Sequence, residues 1–137
     1  MNRSLAAHAL ILALLGLVTG LVGPNLALPR LALAAHTIAL LGGAWLMSLA
    51  AAWPLFELSA RSRRWKSAAW LYALYTNWLG CLLGAVFGAG RLTPLAAQGT
   101  VGTAASEVLV AALLLSGSLA AFVAVGLGLA GLRRTNR

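Results

Sequence analysis

Tyr72, Tyr75, Thr76 and Asn77, flanked by Trp70 and Trp78, put hydrogen-bonding side chains into an apolar run, residues 68–89. A side-chain amide in hydrocarbon costs free energy until it finds a partner, so a bare anchor would not carry one. The stretch reads as the polar wall of a site inside a helix bundle. Four further residues have chemistry of their own. His36 is the one strong donor ligand in its helix, His8 lies about a turn inside the first, Glu107 sits in the first turn of the last, and Cys81 stands alone.

These groups must be held by membrane helices. The chain has 137 residues, is 61% hydrophobic and only 9% charged, more apolar surface than a soluble domain of this size can hide. Backbone groups in lipid must be satisfied within their own segment and about 20 residues span the hydrocarbon, so the long runs are helices. The expected fold is an all-α membrane protein: one domain over residues 1–137, a four-transmembrane-helix bundle with helices at about 4–22, 31–53, 66–89 and 104–132. The run at 5–22 resembles a signal peptide but is long enough to span, and it is kept as the first helix.

The net charge of +8 comes from ten basic and two acidic residues. Arg3, then Arg61, Arg63, Arg64 and Lys66, then Arg133, Arg134 and Arg137 mark one side of the membrane, whereas Arg30 and Arg91 fall on the other. The positive-inside rule places both termini and the middle loop in the cytoplasm, as in a multi-pass protein of a bacterial-type inner membrane. A nucleic-acid partner is not expected, because no recognition module accompanies the basic patches. Glu57 among its four basic neighbours reads as a solvated charge cluster. The lone Cys81 excludes an intramolecular disulfide and reads as a small core residue.

Glycines and prolines punctuate the helices. Gly16 and Gly20 form a small-xxx-small pair, and Gly80, Gly84 and Gly88 recur every fourth residue as a close-packing seam. Gly42 and Gly43 leave room beside the second helix for a neighbouring helix or a planar ligand. Prolines break the loop at 23–30, Pro54 ends the second helix, and the mixed loop at 90–103 reads as an ordered cap or re-entrant turn in which Arg91 and Gln98 could face a site. Glu107 is either a helix N-terminal charge favoured by the dipole or a functional carboxylate. Ser116 and Ser118 read as backbone-bonded.

At about 1.5 Å of rise per residue, His8 and His36 differ in depth by roughly 15 Å and cannot share a small metal ion. Asn77 and Tyr75 are two residues apart and do not share a face, while Tyr72 and Tyr75 do. One histidine does not make a zinc site, but it suffices for haem, because a porphyrin brings four nitrogens and needs one axial imidazole. Taken alone, His36 is more often a structural or substrate-facing residue.

Six segments carry a resemblance in order along nearly the whole chain: 8–20 from His8 to Gly20, 28–36 ending on His36, 53–59 with Trp53-Pro54, 71–78 with Tyr72, Tyr75, Asn77 and Trp78, 87–90, and 94–99 with Pro94 and Gln98. Together they resemble hydroxylaminobenzene mutase and, more distantly, styrene oxide isomerase. The resemblance implies a membrane isomerase of small hydrophobic aromatic substrates, turning hydroxylaminobenzene into 2-aminophenol or an aryl epoxide into an aldehyde. It also implies a homotrimer of four-helix protomers with haem b between neighbours, His36 as axial ligand and ferric iron as a Lewis acid. On this reading Asn77, Tyr75 and Tyr72 orient the substrate oxygen or a proton, Glu107 assists near the outer entrance, and Gly42 and Gly43 border the cofactor. The mutase pattern has an acidic residue and an asparagine where this chain has Ile38 and Gly42, and the position of an isomerase tyrosine holds Cys81. The rival expectations are a non-catalytic haem-binding subunit and a small multidrug transporter, which would need a carboxylate in the membrane.

Overall fold

A computed structural model describes residues 1–134, all helix and loop; of the C-terminal basic cluster, Arg137 lies outside the described residues. Four helices are long and apolar enough to cross a membrane: α1 (Arg3–Val22), α2 (Pro29–Ala51), α3 (Ala60–Phe87) and, after a one-turn helix α4 (Pro94–Ala97), α5 (Ala104–Arg134).

Local chemistry sets the ends. Asn2 caps α1 by accepting the Leu5 amide through Oδ1 at 3.3 Å, and Pro29 opens α2 at a position where its missing N–H costs nothing. Ser59 caps α3 by accepting from the Ser62 amide. Gly88 ends α3 with φ +65°, a left-handed conformation that glycine takes without a Cβ penalty.

Three expectations need correction. α2 runs over Pro29–Ala51 rather than 31–53, ending just before the Trp53-Pro54-Leu55 turn. α3 begins at Ala60, six residues before 66, because Arg and Lys are good helix formers and Arg63 donates to the carbonyls of Phe56 and Leu58 at 3.1 and 3.2 Å, holding the incoming loop. The solvated cluster holds for exposed Arg61, Arg63 and Arg64 but not for Lys66, which is buried.

The helices stand in a row. α1 packs on α2, α2 on α3 and α3 on α5, with only slight contact between α1 and α3. Asn2 donates to the Ala50 carbonyl at 2.9 Å, while Gly131 near the end of α5 lies against Leu58, so the N-terminus, the 52–59 loop and the end of α5 gather at one end. Two buried clusters hold the inner seams, one around Leu5, Leu12, Leu46 and Leu49, the other around Leu31, Ala35, Cys81 and Ala85. The outer faces are apolar: Leu14, Leu21, Leu119 and Phe122 are all well exposed. Lipid is the solvent that makes such a surface stable.

Glycines let the backbones approach. A Cβ on Gly43 would stand 2.8 Å from the Ala9 carbonyl oxygen, and one on Gly80 2.9 Å from Leu114. The 80–84–88 seam is used within the chain, each glycine differently: Gly80 admits α5, Gly84 admits Leu31 of α2, and Gly88 is the cap. Gly43→Ala should therefore force α1 and α2 apart and destabilise the bundle by about 1–3 kcal/mol. Gly126→Ala, with nothing within 4 Å of its added Cβ, should be neutral or slightly stabilising. Thermal unfolding of the two variants in one detergent checks the difference.

Candidate functional site

His36 lies on α2, half-buried, with its ring turned toward α1. Its Nδ1 is 2.7 Å from the Gly16 carbonyl oxygen. A carbonyl only accepts, so Nδ1 carries the proton and Nε2 of the neutral ring keeps its lone pair. The ring fits because Gly20 has no side chain: a Cβ there would stand 2.6 Å from Nδ1. Beside it is a cleft of about 230 Å³, lined by Thr19, Gly20, Pro24, Ala32, Leu33 and His36. The two glycines of the small-xxx-small pair thus serve the histidine, Gly16 through its carbonyl and Gly20 through its lack of bulk.

The 70–78 stretch is not one wall. Tyr75 points to α1, where its hydroxyl meets His8 Nδ1 at 3.1 Å, the rings edge to face at 84° and 5.8 Å between centroids. Tyr72 points to α5 and shares a hydrogen bond with Ser116 Oγ at 2.9 Å, its ring about half exposed. Thr76 returns its hydroxyl to the Tyr72 carbonyl at 2.7 Å, and Trp78 donates from Nε1 to Thr19 Oγ1 at 3.0 Å. Asn77 is half-buried, and its amide has no hydrogen-bond partner among the described residues. About 100° per residue explains the division: Tyr72 and Tyr75 straddle the ridge between two neighbours, and Asn77 falls on the strip of Trp70 and Cys81.

Other candidates have packing roles. A Cβ on Gly42 would stand 2.9 Å from Leu12 and 3.2 Å from Leu74, so Gly42 and Gly43 admit helices and leave no room for a planar ligand. Glu107 is buried, its Oε1 accepting the amides of Gly90 and Gly102 at 3.1 and 2.8 Å and its Oε2 that of Arg91 at 3.1 Å. That carboxylate pins both ends of the 90–102 loop, an ordered cap as expected. Arg91 and Gln98 are exposed outside the His36 cleft, Cys81 is core, and Ile38 packs against the same cluster. Among the described residues no three His, Cys, Asp or Glu side chains converge on a metal position.

The His8–Tyr75 pair is the feature that the residues alone concealed. His8 read as an interfacial histidine or a member of a cytoplasmic-side cluster, and its partner lies 67 positions away. Depth gave no signal, because His8 lies on the second turn of α1 and Tyr75 on the fifth turn of α3.

A family model described as styrene oxide isomerase matches residues 1–133. Hydroxylaminobenzene mutase HabB of Ectopseudomonas oleovorans is 42% identical over 132 residues, covering 96% of this chain and 80% of the relative. Hydroxylaminobenzene mutase HabA of the same organism is 40% identical over 138 residues, covering 98% of this chain and all of the relative. No solved structure matches the chain.

Two outcomes test this geometry. Gly20→Ala should drive the His36 ring off the Gly16 carbonyl and erase the Nδ1–H signature in imidazole ¹⁵N spectra, which Gly126→Ala should leave intact. Glu107→Gln should weaken the loop clamp, lower the melting temperature and speed proteolysis within residues 90–102, without altering the His36 signature.

Proposed function

The chain belongs to the styrene oxide isomerase family, and from that membership we propose that it is a membrane-embedded isomerase that moves oxygen within small hydrophobic aromatic molecules. Its substrates would be an arylhydroxylamine, rearranged to an aminophenol as in hydroxylaminobenzene to 2-aminophenol, or an aryl epoxide, rearranged to an aldehyde. The observation that carries the reading is His36, whose Nδ1 is committed to Gly16 while its Nε2 lone pair is left for a ligand at a cleft.

That donor set fits haem b. A histidine held through Nδ1 by a backbone carbonyl has the tautomer and orientation an axial ligand needs. The cleft of about 230 Å³ is smaller than the roughly 300–1,000 Å³ that enclose a drug-sized ligand, so one protomer would hold only part of a macrocycle. A homotrimer in which neighbours complete the wall is consistent with this, and with an Asn77 amide that has no partner among the described residues. Bound there, ferric haem would supply a Lewis acid for the substrate oxygen.

The remaining work falls to this chain's own side chains. Tyr75 and His8 hold a proton between a hydroxyl and an imidazole, either of which can donate, inside the bundle. The Asn77 amide offers a donor and an acceptor to orient a substrate oxygen. Tyr72, tied to Ser116, lines the outer face of α3, and Glu107 acts by fixing the outer loop. Lipid-facing walls admit an aromatic substrate directly from the bilayer and keep water from a cation-like intermediate. The end bearing Arg3, Arg61, Arg63 and Arg64 would face the cytoplasm in a bacterial inner membrane.

One second reading has an observation behind it. Ile38 packs in an apolar cluster and Gly42 is filled by Leu12 and Leu74, so two polar groups of the mutase pattern are replaced by packing, as suits a haem-binding subunit without turnover. The transporter reading loses its carboxylate, because Glu107 is held by three loop amides.

Detergent-purified wild type, expressed with ample haem, should show a Soret band that His36→Ala loses or strongly alters. It should convert hydroxylaminobenzene or styrene oxide without a co-substrate. Asn77→Ala and Tyr75→Phe should keep the Soret band and lower kcat by about 10²-fold. Haem without turnover of either substrate class would favour the subunit reading, and neither haem nor turnover would reject both.

A further inference from the structure

Among the described residues Lys66 is the buried cation. Its side chain is 1% exposed, and Nζ has no hydrogen-bond partner among the described residues. The ammonium lies over the Phe56 ring and 5.2 Å from the centroid of Trp53. On the α5 side it rests against Gly128, where an added Cβ would come within 3.7 Å of Nζ. Two aromatic faces attract the charge but do not replace oxygen acceptors for three N–H donors.

Neither glutamate of the described residues reaches this amine. Glu107 is clamped by amides near the start of α5, whereas Gly128 and Lys66 meet near its other end, and Glu57 is exposed. Lys66 also borders a cavity of about 280 Å³ where α2, α3 and α5 leave a gap, open at the side of the row. Its other walls are apolar, chiefly Trp45, Trp70, Leu129 and Leu132, and the one hydroxyl there, Ser48, is already bonded to the Ala44 carbonyl. At about 1.5 Å per residue, Lys66 lies only some 3 Å deeper than exposed Arg64, at the headgroup level of the arginine-bearing end.

A single buried ammonium at headgroup depth, with an aromatic and aliphatic groove running inward from it, matches a molecule with an anionic head and an apolar tail. We propose that this cavity binds one anionic phospholipid, its phosphate accepting from Lys66 Nζ and an acyl chain lying along the packed Trp45–Trp70 pair, whose ring centroids are 5.3 Å apart. Gly128 is itself buried and Nζ is covered in this structure, so the phosphate meets the amine by a swing of the flexible lysine side chain into the cavity it borders. Arg61 and Arg64 on the same end enrich anionic lipid nearby, and Lys66 selects the bound one. This site is separate from the His36 cleft and does not depend on the isomerase reading.

Native mass spectrometry of the full chain, equilibrated with equal phosphatidylglycerol and phosphatidylcholine, tests the proposal. Wild type should retain the anionic lipid by about fivefold over the zwitterionic one. Lys66→Met, which keeps the side-chain length without the charge, should abolish the preference, while Arg64→Gln should leave most of it. If Lys66→Met does not fold, Gly128→Leu serves instead, because it fills the cavity beside the amine while retaining the lysine and should give the same loss. Equal retention of the two lipids by wild type, or an unchanged preference in these variants, would overturn the proposal and leave the ammonium to Phe56 and Trp53 alone. Displacement of the lipid by millimolar inorganic phosphate would reduce the site to one for a free anion and overturn the lipid assignment.

Discussion

Hydrocarbon offers a polar atom no water, and that constraint sorts the chemistry of this chain. Most polar side chains in the spans are bonded to a backbone carbonyl or to one another: His36 to Gly16, His8 to Tyr75, Tyr72 to Ser116, Trp78 to Thr19. Two of these bonds tie α1 to α3, one ties α2 to α1 and one α3 to α5, so the contacts that satisfy the polar atoms also brace the helices against one another. The groups left over are informative because lipid is a poor partner for them. Among the described residues Asn77 has an amide without a partner and Lys66 an ammonium without an acceptor, and Lys66 borders a cavity open at the side of the bundle.

Small residues decide how this sorting is achieved. Without a hydrophobic drive between helices in lipid, close approach and packing must hold them together, and glycine permits both. Gly43 and Gly80 bring backbones together, but Gly16 and Gly20 act differently. They create a socket in which an imidazole reaches a helical carbonyl while its other nitrogen stays free. A larger residue at position 20 would cost the socket before it cost the helix pair, so the packing and the chemistry of α1 are written in the same two residues.

The spans were legible because about 20 consecutive apolar residues have few alternatives in a chain this hydrophobic. The early start of α3 was not, since a basic loop and a basic first turn look alike until Ser59 and Arg63 are seen capping it. The 70–78 stretch was read as one wall and is not one: the sequence sets its polar groups side by side, but a helix distributes them around its axis, and only the neighbours reveal which go together. Gly42 and Gly43 show the same limit, because room for a ligand and room for Leu12 look identical in sequence. Lys66 was grouped with its arginine neighbours on charge alone, and what covers it, Phe56, Trp53 and the α5 backbone at Gly128, comes from other parts of the chain.

This sorting also separates two kinds of sensitivity. Substitutions at Gly42, Gly43, Gly80 or Cys81 act on packing, and their effects on any activity should follow the folded fraction. Substitutions at His36 and Tyr75 remove an interhelical hydrogen bond together with a donor or acceptor, whereas Asn77, with no partner among the described residues, loses none. Glu107 belongs with the first kind despite its charge, because both of its oxygens are bound by loop amides.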